Sequence, residues 1–328
     1  MSELQTRYLS TVNHVSGSEK IIFQDVEHKY TAKTDYYDQP LSTDESSLIR
    51  IISTTTVIKQ YFPDTFTALA CELFMKYQGQ IENDPTHKYY GCKGPDDIKK
   101  IWSKGATLGT AMHNHYEDLC NLLEFDKMNA PSSQMQQYLE SGRVPETQYF
   151  MEFVKKFDLR NPDGRFQIYR TELVMFHDLF MISGMIDCIM YDKQTDSYAI
   201  VDWKRCKNGI QKDPKNPRKR VRELAQNSRG MGLPLFEETR NTNLHHYSCQ
   251  LTLYKHIFEH MTKKRVSAMM LVCVDSNKIG KNNALGIVDI PIHKYDDHIK
   301  QVFHARANQL LVNYSETLSD KHMDDLIK

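Results

Sequence analysis

The sequence predicts an α/β fold, a central mixed β-sheet flanked by helices with an N-terminal extension before it, and three observations lead there. Helical and strand-like patterns follow one another from residue 98 onward in the order helix, three strands, helix, strand. A 3.6-residue apolar period runs through the first helical segment and returns in the second. The run "AMMLVCV", Ala268 to Val274, reads as a buried strand.

Residues 1–97 read as an extension made of a small hairpin plus a helix. "EKIIFQ" and "EHKYTA" form the hairpin, "TDYYDQPLSTDESS" is a polar loop, and "TFTALACELFMKYQG" is the helix. The turn-rich "NDPTHKYYGCKGPDD" closes this segment. From Asp96 to Phe125, Leu108, Met112, Tyr116, Leu119, Cys120 and Leu123 recur at helical spacing and predict a long amphipathic helix. "RFQIYRTELVMF" and "LFMISGMIDCIMY" flank a turn at His177-Asp178, and "SYAIVDWK" follows the turn signal "DKQTDS". Together they predict a three-stranded antiparallel meander. Leu244 to His260 returns to helical period through Tyr247, Leu251, Tyr254 and Phe258; "VSAMMLVCV" and "ALGIVDIPI" are further strands, and "HKYDDHIKQVFHARANQLL" opens a last helix.

The bulk numbers exclude several classes. The 328 residues carry 42 basic and 42 acidic side chains, so no global charge marks a polyanion binder. At 40% hydrophobic, the chain supplies a core for one large domain or two modest ones. Its longest apolar run is too short to cross a bilayer and its N-terminus has no apolar signal core, so neither membrane insertion nor secretion is expected. Seven cysteines without a C-x-x-C pair suit an intracellular, reducing compartment: cytoplasm, nucleus or a viral replication site, with the mitochondrion left open.

Charge inside the apolar strands carries the chemistry. Asp187, Asp202 and Lys204 sit among buried-strand neighbours, where an unpaired charge is costly unless a partner or a metal holds it. The two aspartates lie on neighbouring strands joined by a tight turn, so their side chains converge. Two carboxylates repel without a cation, whereas Mg²⁺ or Mn²⁺ accepts a few oxygen ligands. Lys204, two residues beyond Asp202, points to the same face and can steady an attacking water or phosphoryl charge. In the preceding helix His113 and Glu117 are neighbours on one face, and His113 can add a nitrogen ligand, with Gly109 and Thr110 permitting close approach of helix and sheet. His115, His245 and His246 are bystanders in this reading. Each pattern alone is common on protein surfaces; their joint occurrence in this order marks a site.

A local basic excess follows. Lys204 to Arg229 holds ten Lys or Arg against Asp213 and Glu223. Such a block is a solvated loop as often as a binding surface, but its place directly after Asp-Trp-Lys favours contact with phosphates.

Taken in order, "GTAMHNHYE", "RTELVMF", "GMID", "VDWKR" and "QLTLY" resemble the motif set of the PD-(D/E)XK nuclease superfamily. The likeness is to its RecB-like branch, which includes mitochondrial genome maintenance exonucleases, and less specifically to nucleases of large DNA viruses. It covers about Gly105 to Val274 and implies a restriction-endonuclease-like core over 98–328 with a basic insert at about 206–245. The resemblance implies His113 and Asp187 as metal ligands, Asp202 as the shared carboxylate ligand, the main-chain carbonyl of Trp203 as a further ligand, and Lys204 as the catalytic lysine. It places Gln250 and Tyr254 beside the nucleic acid, and Glu117 and Glu172 at acidic positions of less uniform role. The family's Pro-Asp is Ile186-Asp187 here, and Cys206 and Cys249 cannot supply four thiolates, so no iron–sulfur cluster is expected.

The function so implied is Mg²⁺- or Mn²⁺-dependent hydrolysis of DNA by an exonuclease acting on single-stranded ends. The alternatives are a structure-directed endonuclease and a non-catalytic nucleic-acid-binding module, with RNA left open as a substrate. Arg205, Lys207, Arg218, Lys219 and Arg220 are the expected phosphate contacts, and the span from Cys206 to His245 the expected flap over substrate. Phe236, Tyr247 and Tyr254 are candidates to stack on unpaired bases and equally to be core, with core favoured for Tyr247. No Gly-x-Gly-x-x-Gly after a strand and no Walker loop supports a nucleotide-dependent metabolic enzyme.

Overall fold

A computed structural model describes residues 7–24, 27, 29–63, 66–129, 134–140, 145–206, 230–275 and 285–327. The N-terminal part runs through α1 (Tyr8–Val12), β1 (Ile21–Gln24), β2 (Lys29–Ala32), β3 (Leu41–Ser42), β4 (Ile52–Ser53), α2 (Thr54–Lys59), α3 (Phe66–Lys76) and α4 (Gln78–Asn83). Then come α5 (Pro95–Met128), α6 (Gln134–Glu140), α7 (Thr147–Lys156), β5 (Phe166–His177), β6 (Ile182–Asp192) and β7 (Ser197–Cys206). The chain continues through α8 (Asn243–Thr262), β8 (Val266–Asp275), β9 (Leu285–Ile290), α9 (Asp296–Tyr314) and α10 (Asp320–Ile327). Lys207, Arg218, Lys219 and Arg220, and with them most of the expected flap, lie outside the described residues.

A mixed sheet flanked by helices forms the centre. β5, β6 and β7 make the antiparallel meander; α8 then crosses over so that β8 runs parallel to β7, and β9 closes the edge antiparallel to β8. β7 and β8 are buried almost throughout, as continuous apolar strands in mid-sheet must be. One sheet face, with Ile168, Cys188, Val201, Trp203 and Val272, packs against α5 and α7. The other, with Leu173, Ile186, Ile189, Ile200 and Leu271, packs against α2, α8 and α9. A smaller sheet in the order β1-β2-β3 stands beside them.

The helices begin and end where local chemistry satisfies their free backbone groups. α5 starts at Pro95 with Asp96 and Asp97 in its first turn, favourable against the helix dipole, and has Lys127 in its last. α8 is capped by Thr242, whose hydroxyl accepts the His245 N–H, and it stops at Lys263 in the left-handed conformation. Within α5, Met112, Tyr116, Leu119, Cys120 and Leu123 are buried as their spacing predicts. Leu108 is not: it is 52% exposed, because Ser103 to Ala111 lies between two separate apolar clusters and joins neither among the described residues. Periodicity marks a face able to pack; it does not supply the neighbour.

Residues before α5 are woven into this core. β4 pairs in parallel with Ile182 and Ser183 of β6, and the Leu9 N–H donates to Asn121 Oδ1 at 2.8 Å. The Tyr37 hydroxyl donates to His322 Nδ1 at 2.8 Å while His322 Nε2 donates to the Leu179 carbonyl at 2.8 Å, a neutral tautomer that ties α10 to the β5–β6 turn. A boundary at residue 97 falls inside α5. The described end of the basic insert also folds back: Met231 bridges Arg240, and Phe236 is 1% exposed against Tyr61 and Phe62. Phe236 is therefore a core residue, the second of its two readings, and is not exposed to stack on a base. Among the described residues, no helix is long and apolar enough to cross a membrane.

One glycine sets how closely α8 and α2 approach the sheet. A Cβ on Gly184 would lie 2.7 Å from Tyr254 Cε1 and 2.8 Å from Thr54 Cγ2, both in closely packed side chains. Gly184→Ala is therefore expected to destabilise the protein by about 1–3 kcal/mol. Urea denaturation measures this, and an unchanged midpoint would mean that Tyr254 and Thr54 are free to move aside.

Candidate metal centre at a break in the sheet

The β5–β6 ladder pairs Thr171 with Cys188 and Leu173 with Ile186, and skips the pair between them, Glu172 and Asp187. Thr171 and Cys188 face α5, where the Asn121 amide donates to Thr171 Oγ1 at 3.1 Å. Leu173 and Ile186 lie in the cluster under α8. Residues two apart on a strand normally share a face, so both strands switch faces at the skipped pair. Glu172 makes the switch with φ at +41°, a left-handed conformation uncommon for a residue with a side chain.

The β6–β7 ladder ends at Cys188 and Val201. Its register, continued by one residue, sets Asp187 opposite Asp202. Glu172, Asp187 and Asp202 thus form a row across three strands where regular pairing stops. Asp187 fills part of the gap itself, its Oδ2 accepting the Trp203 N–H at 2.9 Å.

Helix α5 brings His113 to this row. Ligand atoms of His113, Glu172 and Asp187 all lie within 4.8 Å of one another, and His113 Nδ1 is 3.4 Å from Asp187 Oδ2. Asp202 is outside that trio. Its Oδ2 is 2.6 Å from Lys204 Nζ, an ion pair that lacks hydrogen-bond alignment, so this buried oxygen has no hydrogen-bond donor among the described residues. The Lys204 ammonium also sits 4.7 Å from the centre of the Tyr247 ring, a cation–π contact.

Burial sharpens the electrostatics. Desolvation first, then Asp187 and Glu117, push the Glu172 carboxyl up to about 10. Asp202 rises to about 6 because burial outweighs the opposing pull of Lys204. Glu117, one helical turn from His113, rises to about 7 through burial and its neighbour Asp118. Burial works against the charge on Lys204, but Asp202 and Asp187 more than offset it and hold the ammonium protonated. Crowded acids and an imidazole with ligand atoms this close fit a divalent cation that prefers oxygen ligands, the chemistry of Mg²⁺ or Mn²⁺.

The remaining expected residues divide. Trp203 meets the site through its N–H, while its indole packs edge-on against Tyr116 and Phe153. Arg205 is committed to Glu146 at 2.7 Å, both side chains largely buried, and so is not presented to a phosphate as expected. Gln250 donates to the Tyr254 hydroxyl at 2.7 Å and reaches Thr55 Oγ1 at 3.5 Å. Tyr254 is buried against Gly184, which makes it a wall of the site and not a stacking platform. His115 holds helices together through Tyr138 and Thr147.

Sequence reasoning underweighted Glu172 and passed over Thr54 and Thr55. For Glu172 a signal existed: pairing His177 with Ile182 across the turn and counting back sets 172 opposite 187. No family model matches the chain, and no curated protein matches it.

Because the folded-state pKa of Glu172 lies above its ordinary 4.5, the stability it contributes as a neutral acid is complete below about 4.5 and is lost as pH rises toward about 10. Glu172→Gln keeps the neutral shape. The metal-free variant should exceed the parent in stability by more than about 1 kcal/mol near pH 8, with the gap closing near pH 4. Urea titrations at both pH values check this, and equal stability near pH 8 would show that Glu172 ionises without strain.

Proposed function

We propose that this chain is a metal-dependent deoxyribonuclease of the PD-(D/E)XK type, RecB-like branch, which hydrolyses phosphodiester bonds from single-stranded DNA ends. The observation that carries the reading is the row of Glu172, Asp187 and Asp202 at a break in the sheet, met by His113 on one side and Lys204 on the other. The motif order along the chain supports the family, and the preference for single-stranded ends rests on the resemblance to RecB-like exonucleases.

His113, Glu172 and Asp187 would hold Mg²⁺ or Mn²⁺, with Asp202 contributing the oxygen that faces Lys204. A cation held by these residues would supply Lewis-acid chemistry, activation of a water and neutralisation of phosphate charge. Lys204, kept protonated by Asp202 and Asp187, stabilises the charge that grows on the phosphoryl oxygens and the leaving group. Tyr247 limits where that ammonium can go. Gln250, Tyr254 and Thr55 form a polar wall along which the nucleic acid strand is oriented. The product carries a 5′-phosphate.

End-labelled single-stranded, blunt duplex and circular DNA, incubated with Mg²⁺, Mn²⁺ or EDTA, test the proposal. Metal-dependent loss of linear single strands with circles spared is expected; cutting of circles would make the enzyme an endonuclease, and bound but intact DNA under every ion would leave a binding module. Asp187→Asn should abolish the metal-dependent cleavage. Lys204→Gln should remove turnover with little change in DNA affinity, its folding checked by melting because Asp202 loses its partner; near-parental cutting by this variant would overturn the site assignment.

A further inference from the structure

At the end of β5, His177, Asp178 and His260 each offer a ligand atom, and these atoms lie within 4.8 Å of one another. His177 is buried beside Phe180 and Phe303, with ring centres 4.7 and 5.2 Å away. Its Nδ1 is inaccessible to solvent and has no hydrogen-bond partner among the described residues. Such an orphaned nitrogen costs about 1–3 kcal/mol in an apolar niche unless something uses its lone pair. Asp178 is held in place from the backbone, its Oδ1 accepting the Leu179 N–H at 2.9 Å, and it lies 3.3 Å from His260 Nε2. The His260 side chain is 39% exposed.

We propose that His177, Asp178 and His260 form a second metal site, selective for a transition-metal dication such as Zn²⁺. Two imidazoles and one carboxylate are the donor set of three-ligand zinc sites, with water in the fourth position, and they disfavour Mg²⁺, which seeks an all-oxygen shell. The site shares no residue with the carboxylate row. Loading requires one movement. The two imidazoles stack with centres 3.9 Å apart and planes 19° from parallel, and no ion can lie in both ring planes at once. His177 is locked by its aromatic neighbours, so the half-exposed His260 is the ring that turns. Lys20 and Lys263 are close enough to bear on this group and oppose a cation, and the Asp178 carboxylate counters them. The bound ion ties the β5–β6 turn to the C-terminal end of α8, the helix that carries Gln250 and Tyr254.

Zn²⁺ alone is the probe. In an Asp187→Asn, Glu172→Gln background, which disables the carboxylate row, chelator-stripped protein dialysed against Zn²⁺ should retain one ion per chain by elemental analysis. Co²⁺ in its place should give the visible absorption of a four-coordinate complex. Adding His260→Ala should weaken Zn²⁺ binding by more than about ten-fold and abolish that absorption, with the melting temperature in EDTA unchanged. Asp178→Asn is a second variant with the same expected loss. Absence of bound Zn²⁺ in the background protein, or binding indifferent to both substitutions, would overturn the proposal, and neither result depends on whether the chain cleaves DNA.

Discussion

Repulsion among sheltered acids is the constraint on which the rest of this structure depends. Two carboxylates about 5 Å apart repel by on the order of 3 kcal/mol at an effective dielectric near 20, and here three stand in a row. Each meets the problem differently. Burial and its acidic neighbours raise the Glu172 carboxyl toward its neutral form, Asp187 takes a backbone N–H and an imidazole neighbour, and Asp202 faces a lysine. The sheet yields as well, giving up regular pairing at the row and holding Glu172 in a left-handed conformation.

Much of the architecture was legible because period and burial follow from one another. Apolar runs separated by the turn signals at His177-Asp178 and "DKQTDS" are enough to specify strands, and the steps through Met112, Tyr116 and Leu123 are enough to specify a buried helical face. Asp187, Asp202 and Lys204 were conspicuous as charges inside apolar runs. What stayed hidden depended on residues far apart in the chain. Arg205 looked like a phosphate contact because its neighbours are basic, yet its partner is Glu146, 59 residues earlier. Phe236 sits among turn-forming residues and gave no sign that Tyr61 and Phe62 would enclose it. The face switch at Glu172 is a backbone event, and glutamate does not announce a positive φ as glycine does.

The N-terminal residues show how local patterns can mislead about organisation. Their hairpin and helix are readable, but the two-residue β4 carries no periodicity, and it is this strand that enters the main sheet beside Ile182. Thr54 directly after it presses on Gly184, so a segment outside the motif resemblance helps to shape the wall of the candidate centre.

The lock between Tyr37, His322 and the Leu179 carbonyl joins points 285 and 143 residues apart in the chain. Contacts of such separation form late, after the entropy of closing very long loops has been overcome. During synthesis the strands bearing all three acids leave the ribosome more than a hundred residues before His322 does. The growing chain therefore passes through a period in which the acidic row exists as sequence but the clasp around the small sheet and the hairpin turn is missing. Chaperones and proteases would meet this species before any partner or substrate meets the finished fold.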